Sequence, residues 1–295
     1  MRRPTVGEPF RREAMVLLSV AVLSVVLLYG LPLVLIIRGS FQSQSGLGVP
    51  PTFAGLHNYR DALQNPEYAR SFWATAAFTF PSVFLQLGIA FAAALISRRQ
   101  FWGAGIVRWV LLTSYFLPSV VVVVAWKFFT DPFVGLLPRI FQASGMSAPD
   151  MRGPNAALPS MIITATYEAF PFTYVVLLSR MMQIPATLYQ VTESLGASAW
   201  KTFATVTWPH IRLVVAGVVL LRILITWPKF DIPWLVYASQ APSRWGDTLA
   251  ITVYRTAFER LRTGEAYAVS VLLLSGAWAL YAVWNMVRTT EEKLR

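Results

Sequence analysis

An enzyme needs a nucleophile beside a base, paired carboxylates or a cluster of metal ligands, and the apolar stretches of this 295-residue chain contain none of these. There is no cysteine, and the two histidines, His57 and His210, stand isolated, so disulfides, thiolate chemistry and a His/Cys metal site are excluded from the sequence. One stretch, GASAWKT at 196–202, imitates a phosphate loop, but Leu195 and Trp200 stand where G-x-x-x-x-G-K-[ST] requires glycine. ATP hydrolysis by this chain is therefore not expected. Any energy the chain uses must come from another subunit or from an ion gradient.

The remaining chemistry-bearing residues sit in or beside apolar runs. Arg222 lies deep in one, while Lys127 and Glu168 are placed nearer a boundary. A charge facing lipid is costly, so Arg222 is expected on a polar path or a subunit interface, with snorkelling or carbonyl contacts as the structural alternative. No carboxylate is placed mid-span, which argues against proton coupling. Trp126, Phe170, Phe172, Trp227, Phe230 and Trp234 fall near predicted helix ends. Such rings stack on the C–H faces of sugars, and they also form the interfacial belt of any membrane protein.

These residues must be positioned by membrane-spanning helices. Hydrophobic residues make up 56% of the chain and charged ones only 13%, a balance foreign to soluble domains. The net charge of +11 comes from arginines at the ends of apolar runs, not from a basic polar domain, so a nucleic-acid partner is excluded and the lipid bilayer expected. Apolar runs predict six transmembrane helices over about 14–37, 71–96, 107–130, 157–180, 211–227 and 266–286. Pro81 is expected to kink the second helix, and the VVVVV run in the third is read as helix because a span must satisfy its own backbone. The first run is too long for a signal peptide and is read as an uncleaved anchor.

The fold class is thus an all-α polytopic membrane protein. Its domains are a cytoplasmic segment 1–13, a six-helix transmembrane domain 14–288 and a cytoplasmic tail 289–295. An even number of spans puts both termini on the cytoplasmic side. Arg2, Arg3, Arg11, Arg12, Arg98, Arg99, Arg180, Lys201, Arg288, Lys293 and Arg295 agree with that orientation, whereas Arg244, Arg255, Arg260 and Arg262 crowd one external loop.

Between the fourth and fifth spans lies IPATLYQVTESLGASAWKTFATVTWP, residues 184–209. Pro185 opens a short helix, Gly196 stops it by tolerating a left-handed cap, and a second limb is expected over 197–206, before Pro209. Leu188, Val191, Thr192 and Leu195 share one face of the first limb, and Trp200, Phe203 and Ala204 one face of the second. This elbow is read as a docking element.

At these residues the chain resembles the inner-membrane permease subunits of binding-protein-dependent ABC importers, in particular the carbohydrate-uptake group with its E-A-A-x-x-x-G-A loop. Gly196-Ala197, Phe203 and Pro209 keep the spacing, while Gln190, Val191, Thr192 and Leu195 depart from Glu, Ala, Ala and Asp. Other parts agree: FAGLHNY at 53–59, EAFPFTYVVLLSRMMQIP at 168–185, Phe230-Asp231, Thr248-Leu249 and Tyr254 to Phe258, with Ser239-Gln240-Ala241-Pro242 departing from a glycine pair. Asn58 and Tyr59 are read as loop-packing residues.

The resemblance implies a permease subunit in the bacterial inner membrane that forms half of a solute pathway, for a sugar or sugar derivative. It also implies a second permease subunit in a heterodimer, two ATP-binding cassette subunits and an extracytoplasmic solute-binding protein. No cofactor is expected on this chain, ATP and Mg being used by the partner ATPase. Coupling is assigned to Leu188, Gln190, Val191, Glu193, Leu195, Gly196, Ala197, Phe203 and Pro209. The solute-path candidates are Trp126, Phe170, Arg222, Trp227, Phe230 and Asp231. The alternative is an ion-coupled secondary transporter of small polar solutes.

Overall fold

The structure, a computed structural model, describes residues 8–43, 50–98, 102–151, 153, 155–237 and 245–293. Arg2, Arg3, Arg99, Arg244, Arg295 and the stretch 239–242 lie outside the described residues. In chain order the elements are α1 (Glu8–Val25), a π-helical turn (Val26–Gly30), α2 (Leu31–Ser40), β1 (Gln42–Ser43), β2 (Thr52–Phe53), α3 (His57–Gln64) and α4 (Pro66–Ser97). Then come α5 (Ala104–Thr113), α6 (Ser119–Phe129), α7 (Leu136–Ala143), α8 (Ala157–Met182), α9 (Ala186–Ser194) and α10 (Ala199–Thr202). A second π turn (Phe203–Thr207) leads into α11 (Trp208–Thr226), followed by α12 (Asp231–Tyr237), α13 (Leu249–Tyr254), a third π turn (Arg255–Glu259) and α14 (Thr263–Lys293).

Among the described residues four helical stretches are long and apolar enough to cross a membrane: 13–40, 66–97, 157–182 and 199–226. Counting the bent pair 104–116 and 119–129 as one span gives five.

The chain divides into two compact units. The first comprises residues 1–65 and 253–272. Its α1–α2 helix buries none of its most apolar window within the chain, so that surface is left for lipid or another subunit. Asn58 and Tyr59 are packing residues, as read from the sequence. The buried Asn58 side chain donates to the carbonyls of Ser40 (2.8 Å) and Gln42 (2.9 Å), and the Tyr59 hydroxyl meets Ser40 Oγ at 2.6 Å. The β1–β2 hairpin pairs Gln42 with Phe53 and Ser43 with Thr52.

The second unit comprises residues 66–252 and 273–295. Its backbone of packing is α4 against α8. Ser71, Thr75, Thr79, Ser82 and Gln86 recur every three or four residues on α4 and are all buried, forming one polar stripe. Small and hydroxyl-bearing residues let helix backbones approach in an apolar solvent, where Leu-on-Leu contact gains little over lipid. Gln86 Nε2 donates to the Ala165 carbonyl (3.4 Å), and Thr75 Oγ1 accepts the amide of Leu249 (2.8 Å). At one end of the unit an apolar core joins Ala90, Ala94, Tyr174, Leu177, Met181, Ile184, Val206, Ile211 and Val215. A second cluster joins Phe78, Val123, Met161, Ala165, Ile232 and Val236.

Helix boundaries depart from the expected ones in physically instructive ways. The third span is not continuous: Leu117 and Pro118 break it, and its halves bend by 104°. Proline offers no N–H and forces its predecessor out of the helical region, and Leu117 accordingly has φ −84°, ψ 126°. The valine run then re-forms as helix α6, as expected. α4 begins at Pro66 rather than near 71 and runs through Pro81. The first helix extends from Glu8 to Ser40 through its π turn, α8 reaches Met182, and α14 runs from Thr263 to Lys293, each longer than its apolar run. Stretches read as loops carry the short helices α3, α7, α12 and α13.

Candidate functional site

Two sites are built within the second unit. The elbow begins where α8 ends. Pro185, in extended conformation, forms the N-cap of α9 instead of its first turn, and Ile184 beside it is buried in the apolar core. α9 closes at Leu195, and Gly196 adopts φ +66°. The Gly196 amide bonds the Glu193 carbonyl (2.9 Å) and the Ala197 amide reaches back to Thr192 (3.0 Å), which is the Schellman arrangement. A Cβ at Gly196 would meet nothing within 4 Å, so the requirement for glycine is one of backbone conformation, not of space.

Ser198 caps α10 by accepting the Lys201 amide at 3.3 Å. The expected break before Pro209 is absent. α10, the π turn and α11 form one helix over 199–226, because the i→i+5 turn at Phe203–Thr207 passes the missing proline N–H without ending the helix. The second limb is therefore the first turns of a span, rigidly joined to it.

Leu188, Val191 and Leu195 are exposed (37%, 56% and 78%), and Trp200 is 75% exposed. Gln190, Glu193, Gly196 and Pro209 are also exposed, and Ala197 half-buried. Phe203 is placed differently, half-buried with its ring edge-on to Phe91 of α4 and stacked on Trp200 at 5.5 Å. The inner side of the elbow is fastened by Tyr189, which sequence reasoning missed. Its hydroxyl meets Thr207 Oγ1 at 3.1 Å, and the Arg98 guanidinium lies 3.7 Å above its ring. Between the elbow and α4 lies a cleft of about 700 Å³ lined by Leu95, Arg98, Tyr189, Glu193, Trp200 and Phe203 among others.

The second site is a charged cluster. Lys229 Nζ lies 3.0 Å from Glu168 Oε2 and 3.3 Å from Asp231 Oδ1. Ser119 Oγ, the first residue of α6 after the Pro118 break, lies 2.7 Å from Glu168 Oε1 and also contacts Asp231 Oδ2. Its single proton serves one carboxylate at a time. The Lys229 and Glu168 side chains are only 16% and 21% exposed, whereas that of Asp231 is 43% exposed. Asp231 opens α12, outside the candidate spans. Burial pushes its carboxyl up, but the Ser119 hydrogen bond, the Lys229 charge and the Ile232 amide together hold it below the usual carboxylate value.

Glu168 is the twelfth of the 26 residues of α8, so a carboxylate does stand near the middle of a span, contrary to expectation. Ionic pairing explains how it is tolerated there. Arg222 donates through Nε to Gln86 Oε1 at 2.9 Å and makes no ion pair among the described residues. With Gln86 bonded onward to Ala165, one polar thread ties α11, α4 and α8.

The aromatic candidates divide. Phe170 and Trp227 are buried (8% and 5%), the latter edge-on to Phe72 at 5.5 Å. Trp126 and Phe230 are partly accessible, and Phe230 stacks on Trp234 at 5.2 Å. Ser119, Lys229 and Gln86 were missed from the sequence; the adjacency of Lys229 to Asp231 and of Ser119 to Pro118 was the available signal.

Residues 86–289 match the model of the family described as binding-protein-dependent transport system inner membrane component. The inner membrane ABC transporter permease protein YcjO of Escherichia coli is 28% identical over 232 residues, 76% of each chain. The trehalose/maltose transport system permease protein MalF of Thermococcus litoralis is 28% identical over 222 residues, 75% of this chain and 74% of that one. The sn-glycerol-3-phosphate transport system permease protein UgpA of Brucella abortus is 24% identical over 245 residues, 82% and 83% of the two chains. A chain in the crystal structure of a bacterial ABC transporter involved in the import of the acidic polysaccharide alginate superposes with a TM-score of 0.80 over 95% of this chain and 96% of that one, at 17% identity, showing a shared fold. With the polar thread and paired charges among its apolar helices, the chain is a multi-pass membrane transport component, not an enzyme, and it belongs to the binding-protein-dependent transport system inner membrane component family.

Proposed function

We infer that this chain is one of two permease subunits of an ABC importer for a sugar or sugar derivative, with six spans, both termini cytoplasmic and one permease domain over 14–288. The single observation that carries the coupling role is the elbow. A nine-residue helix presents Leu188, Val191 and Leu195 to the outside and closes on a left-handed glycine, and the limb that follows runs into a span without a break. A solvent-facing apolar row on a helix that is fastened from behind is a surface to be gripped. In this reading an ATP-binding cassette subunit, using ATP and Mg, covers that row together with Gln190, Glu193, Ala197 and Pro209. Phe203 acts from the inside, transmitting the elbow's movement to Phe91 of α4. Because α10 and α11 are one helix, displacing the elbow tilts the span that carries Arg222.

The solute path is assigned to the charged cluster and the accessible rings beside it. Asp231, Ser119, Glu168 and Lys229 form its polar part, and Arg222, Phe230 and Trp126 are its further candidates. Phe170 and Trp227 support the path from the packed side. An extracytoplasmic solute-binding protein delivers the solute. The names of the relatives, which cite trehalose/maltose and glycerol phosphate transport, support a sugar or sugar derivative. The family match disfavours the ion-coupled alternative.

The test is co-purification of the tagged chain in mild detergent with an ATPase assay, for wild type, Gly196→Val and Gly196→Asn. Recovery of a second permease and an ATPase is expected, with Gly196→Val inserting normally but losing uptake. Asparagine tolerates the left-handed conformation and should retain uptake. Normal uptake by Gly196→Val, or recovery of the chain alone without ATPase activity, overturns the reading.

A further inference from the structure

Glu168 and Asp231 bring their carboxylates to one ammonium. Lys229 Nζ lies 3.0 Å from the first and 3.3 Å from the second, and Ser119 contacts both from the other side. Without Lys229 the two negative charges would face each other with a single hydroxyl between them, Glu168 largely and Asp231 partly shielded from water. Like charges that close repel strongly in a medium less polarisable than water, and such a pair recruits a cation. Lys229 is fixed two residues from Asp231 in the chain, so its local concentration at the pair exceeds that of any dissolved cation.

Two carboxylates against one ammonium leave one negative charge over, which Arg222, interacting electrostatically with Glu168, balances. A cationic solute meets an ammonium already in place, with Arg222 nearby, and an anionic solute meets two carboxylates. A neutral polyhydroxylated molecule can trade its hydroxyls for the Ser119 proton and for carboxylate lone pairs without unbalancing charge.

We propose that Lys229 is the charge-selectivity residue of the solute path: as built-in counter-ion of Glu168 and Asp231 it admits neutral polyhydroxylated solutes and excludes organic cations. The proposal rests on the reading that this cluster lines the path.

The experiment uses the purified complex in nanodiscs and proteoliposomes, with ethylammonium as the probe. Lys229→Ala should lower the melting temperature by about 5 °C or more. Ethylammonium chloride should restore it, whereas sodium chloride at equal ionic strength should not, and wild type should ignore both. In proteoliposomes energised with ATP, Lys229→Ala should take up labelled ethylammonium at about ten times the wild-type rate or more. Absence of thermal rescue overturns the counter-ion assignment and leaves the path reading standing. Rescue without uptake means the pair binds the cation away from the path, which overturns both the selectivity role and that reading. Should Lys229→Ala fail to fold, the uncharged combination Glu168→Gln, Lys229→Met, Asp231→Asn is measured instead. It should fold and ignore ethylammonium, and an amine response from it overturns the proposal.

Discussion

The elbow and the charged cluster belong to the same compact unit and are built on opposite plans. The elbow is contiguous in sequence, exposed, and determined by one backbone conformation at Gly196. The cluster draws Ser119, Glu168, Lys229 and Asp231 from distant parts of the chain, hides most of their surface, and is determined by charge balance. An elbow that a partner covers, as proposed, can leave its apolar side chains in water. A region meant to stay polar among apolar helices must satisfy itself internally. The difference predicts different responses to mutation.

The sharpest contrast is between Gly196→Val and Glu168→Ala. The first should abolish ATP-driven uptake while strain at the cap costs only about 1–2 kcal/mol of stability. The second leaves Lys229 with one partner fewer in a mostly buried setting and should cost about 3–5 kcal/mol, visible as reduced yield and a lower melting temperature. If the two variants lose stability equally, the division into a local and a tertiary site fails. Next in size, Tyr189→Phe removes the bond to Thr207 and should cost about 1 kcal/mol, and Tyr189→Leu more, since the Arg98 contact goes as well. Thermal unfolding of the pair of variants separates the two contributions. Leu195→Ser, at a 78% exposed position, should change stability by no more than about 0.5 kcal/mol yet weaken ATPase association in a pull-down.

The smallest effect is in acid. Because the Asp231 carboxyl is held below its ordinary value, its stabilising contribution is complete above that ordinary value and is lost as pH falls through the lower, folded one. Asp231→Asn should therefore flatten the acid limb of a melting-temperature profile and leave the neutral region's slope alone. An unchanged acid limb would show that the Ser119 and Lys229 contacts do not hold the carboxyl.

Much of the elbow was legible because its determinants are local. Proline at 185, glycine at 196 and the spacing of Leu188, Val191 and Leu195 are properties of one short stretch, and the helix they dictate is the helix observed. The π turn before Pro209 was not legible, since the rule that proline ends a helix has an exception wherever the hydrogen-bond register can shift by one residue. The contact of Phe203 with α4 was not legible for a related reason: spacing puts it on the apolar face of its limb, but only the packing of α4 decides which way that face points. Glu168 was assigned to a boundary because hydropathy registers a charge as an interruption, whereas the ammonium that accommodates it comes from residue 229.

By itself, then, the sequence determined the class of molecule, its apolar helices, the glycine-stopped elbow and the family to which the chain belongs, since composition, periodicity and local backbone preference act over short separations. Tertiary structure alone decided which polar side chains meet. The bent third span carries Ser119 to Glu168, the turn after α11 carries Lys229 and Asp231 to the same place, and Gln86 reaches Arg222 across the α4 stripe. In an apolar environment a charge must find its partner wherever the fold supplies one, and no periodicity along the chain records where that is.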